Sequence, residues 1–297
     1  MGTIFRNLSA YSEYSTNTDL PEQPRQVLHL AEKSIQFLVE SGLPDNISHL
    51  IVATTCPDSI APSLGQTIVE KFSDVLSDCH TIDIVQGCAG GVTAMILGSE
   101  LSELNKSTVM VVCADAARKS TSRSSRLNKT FGNGSFACLI SYEDSRKGLV
   151  HKKSRQFKGL SEVVSVSLGH DADKIIMRET KDMATDPRKH LGLTMNNVLA
   201  IKLMRQAESF YLSFVEKSGK PDVMILHQVN SLILRHLAAV FKKYNLDFIN
   251  VSHLTGNCGV ASVGIALDTI KESIEGKKVL LCSFGTGGVI SAGLWDN

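Results

Sequence analysis

Short apolar runs alternate with stretches of helical periodicity along most of the chain, the pattern of strands and helices taken in turn. Residues 2–10 predict a first strand, and 11–24, polar and carrying Pro21 and Pro24, predict a loop. Val27, Leu28, Leu30, Ala31, Ile35, Leu38 and Val39 recur at helical spacing, so 25–42 reads as a helix stopped at Gly42. Leu50–Thr55 reads as a buried strand, 62–76 as a helix and Ser107–Asp115 as another buried strand. Residues 116–130, rich in Ser, Thr, Arg and Lys, predict an exposed basic loop, and Phe131–Gly134 a turn into the strand 136–142. The second half repeats the plan: a strand at 161–168, a long helix at 192–217, a strand at Asp222–His227, helices at 231–243 and 260–273, and strands at 279–284 and 289–295.

One stretch departs from this rhythm. Thr81-Ile-Asp-Ile-Val-Gln-Gly-Cys88-Ala-Gly-Gly-Val-Thr-Ala-Met-Ile-Leu97 begins as a β-branched alternation and turns at Gln86-Gly87. It continues as a helix apolar on nearly every side, which belongs inside a protein. Cys88 stands at the junction, where the positive end of the helix dipole favours a thiolate, and a thiolate is a nucleophile. Ala89, Gly90 and Gly91 leave room for a substrate beside it.

The two halves match by position. Cys88 and Cys258 both open small-residue helices and lie 170 residues apart, as do the strands beginning at Val109 and Val279; the strands beginning at Leu50 and Val223 differ by 173. Similar spacing predicts a duplicated α/β plan with halves 1–145 and 146–297, mainly parallel sheets, and the Cys88 helix paired with its counterpart between them.

Composition narrows the class. The chain has 297 residues, 43% of them hydrophobic, enough for a large core, and a formal charge of +1 that favours neither nucleic acid nor a membrane surface. No apolar run is long enough for a transmembrane helix, and the first residues lack a signal-peptide pattern. Seven widely spaced cysteines without a Cys-x-x-Cys pair argue against zinc or an iron–sulfur cluster and suit a reducing cytoplasm.

Ligand sites in open α/β sheets lie beyond the carboxyl ends of the strands. Cys88, His227 and Asn257 each fall just past such an end. Alone, each has a structural reading: a buried turn cysteine, a satisfied core histidine, a turn asparagine. Together, at matched places in two halves, they are a far more specific signal.

Gly87-Cys88-Ala-Gly-Gly91, Leu226-His227-Gln-Val-Asn230 and Thr255-Gly-Asn257-Cys-Gly-Val-Ala-Ser262 resemble the three active-site motifs of the thiolase superfamily, in its β-ketoacyl-acyl-carrier-protein synthase III branch. Phe131-Gly-Asn-Gly134 and Phe284-Gly-Thr-Gly287 resemble that branch's two glycine motifs. The resemblance implies a thiolase-like fold of five layers, αβαβα, and catalysis by Cys88, His227 and Asn257. Cys88 would carry an acyl group; His227 and Asn257 would bind the carbonyl of a malonyl-type thioester as it loses CO₂. The amides of Cys88 and Thr286 would hold the second oxyanion. In this view the helix-borne sulfur needs no strong base.

No metal or resident cofactor is implied; the substrates would be thioesters of acyl carrier protein or coenzyme A. The branch usually has a longer segment after the first strand, with a Trp and an Arg that hold the coenzyme A nucleotide. Here residues 11–24 are short and the single tryptophan is Trp295, which favours carrier-protein delivery or a partner subunit completing the site. Arg235, on the helix after His227, is the nearest candidate contact for an acidic carrier protein. The resemblance also implies a dimer formed through the strand before Cys88 or its neighbours, of two identical or two related subunits. The expected activity is decarboxylative condensation in a specialised fatty-acid or polyketide pathway. The alternatives are an acyltransferase that passes the Cys88 acyl group on without decarboxylation, and a non-catalytic subunit of a condensing heterodimer.

Overall fold

The computed structural model describes residues 2–14, 26–121, 126–144, 147–168 and 191–297. The first half contributes β1 (Gly2–Glu13), α1 (Gln26–Glu40), β2 (Ile47–Ala53), α2 (Leu64–Lys71), α3 (Ser73–Leu76), β3 (His80–Ile84), α4 (Gly90–Asn105), β4 (Thr108–Ala116) and β5 (Asn133–Glu143). The second contributes β6 (Gly148–Gln156), β7 (Val164–Leu168), β8 (Leu191–Met195), α5 (Asn197–Ser218), β9 (Val223–Leu226) and α6 (Ser231–Phe241). It continues with β10 (Asp247–Ile249), α7 (Ser252–Thr255), α8 (Ser262–Ile270), β11 (Lys278–Gly285) and β12 (Val289–Asp296).

Strand order carries the duplication. One five-stranded sheet runs β1-β5-β4-β2-β3; the other, read from its β6 edge, runs β6-β12-β11-β9-β10, the same order strand for strand. Each has a parallel trio extended by two antiparallel strands. The central strands are apolar throughout, as a sheet covered on both faces requires: all nine residues of β4 are buried.

Three apolar clusters define five layers. The middle one joins Val92, Ala94 and Met95 of α4 and Val263, Ile265, Ala266 and Leu267 of α8 to the inner faces of both sheets. A second seals α1 and α2 onto the outer face of the first sheet, and a third seals α5 and α6 onto the second. Small residues let the central layers approach closely: a Cβ on Gly264 of α8 would stand 2.2 Å from the Phe136 ring.

The structure revises the matching of the halves. Gly87 and Gly259 share a φ of +54° and each opens a 3₁₀ turn, Gly87–Ala89 and Gly259–Ala261, that runs into α4 or α8. The partner of Cys88 is therefore Val260, 172 residues on, and not Cys258. Cys258 precedes the turn, with its thiol on the Thr255 carbonyl at 3.2 Å.

Other differences have local causes. The helix expected at 62–76 breaks at Phe72, a left-over residue between α2 and α3 with φ −109° and ψ 31°. The long helix starts only at Asn197, because Leu191–Met195 pairs with β7 instead. Residues 15–25, most of the expected loop at 11–24, lie outside the described residues, whereas Tyr11–Glu13 continue β1.

The basic stretch 116–130 is only in part a solvated face: Lys129 is exposed, but the first two basic residues of the stretch are not. Arg118 and Lys119 are only 8% exposed. Lys119 Nζ meets Asp58 Oδ1 at 2.8 Å, with both side chains nearly buried. Asp58 also accepts from the backbone of Val27 (3.3 Å) and Leu28 (2.9 Å), capping free N–H groups in the first turn of α1. Asp58→Ala should thus remove the cap and strand a buried ammonium, lowering stability by roughly 3–5 kcal/mol. Urea unfolding checks this; a loss below about 1 kcal/mol would mean that Lys119 finds water in the folded state.

Candidate active site

Cys88 is the middle residue of the turn between β3 and α4 and is partly exposed. Its carbonyl accepts from Ser283 Oγ of β11 at 2.5 Å, which ties the turn to the second sheet. Thr286, at the β11–β12 turn, brings Oγ1 to 3.9 Å from Sγ. The amides of Thr286 and of Cys88 itself also face the sulfur. The space for the Thr286 side chain exists because Gly87 has none: a Cβ there would stand 2.2 Å from Thr286 Cβ.

His227 directly follows β9, and its N–H donates to Cys282 O of β11 at 2.9 Å. The next residue of β11, Ser283, is the one that holds Cys88, so one strand end serves both residues. The imidazole is 2% exposed and stands edge-on to Phe284, with ring centres 6.3 Å apart. Its Nδ1 is buried without a hydrogen-bond partner among the described residues.

Asn257 arrives from the other side of the α4 entrance. Its N–H donates to Thr130 O (2.9 Å) and its carbonyl accepts from Gly132 N (3.0 Å), so the Phe131–Gly134 stretch clamps it. Gly132 is obligatory there, since a Cβ would lie 2.0 Å from Thr255 O. The side-chain Oδ1 accepts from Gly259 N at 3.0 Å, which turns the Nδ2 end the other way, free to donate to a ligand. Val260, in the same turn, packs on Gly90 and Gly91 beneath Cys88; a Cβ on Gly91 would be 2.1 Å from Val260 O.

Burial, reinforced by the charge of Asp115, pushes the Cys88 thiol up to about 11, against the hydrogen bonds from Thr286 and the Cys88 amide. Burial thus opposes the helix terminus, which favours the thiolate. Burial lowers His227 to about 4, so its ring is neutral, with one N–H to give and one nitrogen to accept.

That shift sets a pH dependence. An unfolded histidine titrates near 6.5, so between pH 6.5 and 4 the unfolded chain binds more protons and His227 lowers stability as pH falls. The loss approaches about 3 kcal/mol near pH 4 and vanishes above 6.5. Urea unfolding of wild type and His227→Gln at pH 7 and pH 5 isolates it: the wild type should lose more. Equal losses would place the ring in contact with water.

Sequence patterns did not single out Ser283 or Asp115. The only visible signal for Asp115 was an acid closing a wholly apolar strand. Arg235 lies exposed on α6, with Nε on Ser231 O at 3.2 Å. Trp295 is a core residue, edge-on to Phe5 at 5.0 Å. Among the described residues no helix is long and apolar enough to cross a membrane, and no group of three or more His, Cys, Asp or Glu could hold a metal ion.

A fold of two matched five-stranded sheets around paired small-residue helices, with a cysteine at the head of one, is the thiolase-like fold of the condensing enzymes. Known proteins place the chain more narrowly. Residues 217–296 match the family model described as 3-oxoacyl-[acyl-carrier-protein] synthase III C terminal. The β-ketoacyl-[acyl-carrier-protein] synthase III of Rickettsia typhi is 25% identical over 297 aligned positions, covering 96% of this chain and 85% of the relative. The synthase III of Thermus thermophilus superposes with a TM-score of 0.81 at 20% identity, covering 100% of this chain and 99% of that one. The priming β-ketosynthase of the R1128 polyketide pathway gives 0.79 at 18% identity, covering 99% and 96%. The chain is thus a thiolase-like protein that resembles the β-ketoacyl-acyl-carrier-protein synthases III.

Proposed function

We propose that the chain joins an acyl group held on Cys88 to a malonyl-type thioester with loss of CO₂, in a fatty-acid or polyketide pathway. The observation that carries this reading is the surroundings of the Cys88 sulfur. Two amides, its own and that of Thr286, face it, and the strand end that holds it also seats His227.

The steps follow from these groups. Cys88 attacks the acyl thioester; a new S–acyl bond forms, and the donor leaves as a thiol that carries away the proton, with the neutral His227 ring as an available relay. The malonyl-type thioester then loses its carboxylate as CO₂, and the bonding pair becomes an enolate. The His227 N–H and Asn257 Nδ2–H donate to its oxygen. The enolate carbon attacks the acyl carbonyl, whose oxygen becomes negative between the amides of Cys88 and Thr286. Collapse of that adduct breaks the carbon–sulfur bond, frees the Cys88 thiolate to take up a proton, and releases a 3-oxoacyl thioester. In this scheme residues 1–145 supply the nucleophile and 146–297 both donors to the enolate.

Acyl carrier protein or coenzyme A delivers the thioesters, and exposed Arg235 is our candidate for the carrier contact. The protein acts in the cytoplasm as a homodimer or with a related subunit. β3 supports a dimer: it is an edge strand, and Val85 beside it is 77% exposed. Intact-mass screening against acyl-coenzyme A and acyl-carrier donors, followed by labelled malonyl thioester, tests the reading. Acyl mass on Cys88 and labelled CO₂ are expected. Acylation without CO₂ release would make it a non-decarboxylating acyltransferase, and no acylation by any donor a non-catalytic subunit.

A further inference from the structure

Asp115, the penultimate residue of β4, has no exposure to solvent, yet it is a carboxylate outside the three motifs. Its Oδ1 accepts from Thr54 Oγ1 (3.1 Å), Thr55 N (2.6 Å) and Cys56 Sγ (3.4 Å). Its Oδ2 accepts from Thr55 Oγ1 (2.8 Å) and from Val260 N (2.8 Å). The first four donors belong to the loop after β2, in the same half as Cys88. The fifth belongs to the turn that follows Asn257.

The fit at that turn is tight. A Cβ on Gly259 would stand 1.9 Å from Asp115 Oδ2, and Gly259 N is the donor that fixes Asn257 Oδ1. Val260, held by Asp115 through its N–H, is the residue packed on Gly90 and Gly91 under Cys88. The carboxylate thus links the element carrying the nucleophile to the element carrying the amide. Its five neighbours all donate, which favours the ionised form despite the burial that pulls its pKa upward.

We propose that Asp115 is a positioning residue for the condensation step: through Val260 and Gly259 it sets where the Asn257 amide meets the enolate. Its charge adds to the burial that raises the Cys88 thiol. The inference rests on the proposed condensation. Besides Asp115, the titratable groups on elements packed about the two residues include His227, Lys119, Cys282, Cys56, Cys113 and Cys258. The last three are buried thiols that burial keeps protonated.

Two variants separate the charge from the link. Asp115→Asn removes the charge and sets an NH₂ against one of the two backbone N–H donors. Val260→Pro removes the N–H that Asp115 accepts and leaves the charge. Each is acylated with a fixed donor, checked for folding by thermal melting, and followed by labelled CO₂ release. The pH midpoint for iodoacetamide alkylation is read on the Cys88 peptide by mass spectrometry.

Asp115→Asn should move that midpoint down and cut CO₂ release by about 10²-fold, the cost of an ångström-scale misplacement, with acylation retained. Val260→Pro should cut CO₂ release similarly and leave the midpoint unchanged. Normal CO₂ release in folded, acylated Val260→Pro overturns the positioning role, and an unshifted midpoint in Asp115→Asn overturns the electrostatic one. If Asp115→Asn does not fold, Val260→Pro still decides the positioning role, and a midpoint in wild type at the ordinary thiol value removes the charge effect. A wild type that is alkylated at Cys88 but never acylated or decarboxylating refutes the proposed function and leaves the alkylation result on Asp115 standing.

Discussion

Cys88→Ala should give a folded protein that takes up no acyl group from any thioester and forms no condensation product. Alanine fits because Cys88 is partly exposed and the one side chain that meets its sulfur with a polar atom, among the described residues, is Thr286, with Oγ1 at 3.9 Å, so the loss of stability should be small. The loss of activity should be near total, since removing the nucleophile of a covalent enzyme costs roughly 10⁴–10⁶ in rate. The other six cysteines do not substitute: Cys56, Cys113, Cys138, Cys258 and Cys282 are buried, and Cys79 points at Ile47 O, 3.3 Å away. Intact mass after incubation with donors settles the point. An acyl adduct persisting on the variant would move the nucleophile elsewhere.

Asn257→Ala should split the reaction in two. The backbone clamp between Asn257 and the Thr130–Gly132 stretch needs no side chain, so the turn should hold. What disappears is the Nδ2 donor, together with the Oδ1 that accepts from Gly259 N at 3.0 Å, and with them about 10²–10³ in the rate of decarboxylation. Cys88 acylation should change by only a few-fold, because the sulfur is faced by the amides of Cys88 and Thr286 and not by Asn257. Rapid acylation followed by slow CO₂ release is therefore expected. Parallel losses in both steps would mean that the side chain shapes the whole turn.

Much of the fold was legible because burial writes itself into sequence. β4 and β9 are buried from end to end, and both are interior strands of their sheets. β6 escaped because it is an edge strand, Gly148–Gln156, whose His, Lys and Arg residues break the alternation. The burial of Arg118 and Lys119 was hidden for a different reason: the partner that neutralises Lys119, Asp58, is 61 residues away, and no local pattern encodes such a pairing. The mismatched offset between the halves came from comparing a cysteine with a cysteine, when the shared feature is the left-handed glycine before the turn.

At the candidate site, the motifs gave Cys88, His227, Asn257 and Thr286 as chemistry. The resting state of the sulfur was not readable, because it depends on how deeply neighbouring chain covers the thiol. The two glycine stretches were visible as motifs of the branch, without the contacts that they make. In three dimensions Gly132 clamps the backbone of Asn257 and Gly285 lies alongside Cys88, where a Cβ would come 3.7 Å from Sγ.

The central layer of α4 and α8 bears on how such a protein could have arisen. Each of these helices is apolar toward both sheets, so neither can be dried by its own sheet alone. An ancestor of half this length could have sheltered its single inner helix only against a second copy of itself, related by a twofold axis. Fusion of two such copies would then have freed them to diverge, one end of the pair keeping sulfur and the other, at Val260, becoming a mere packing surface.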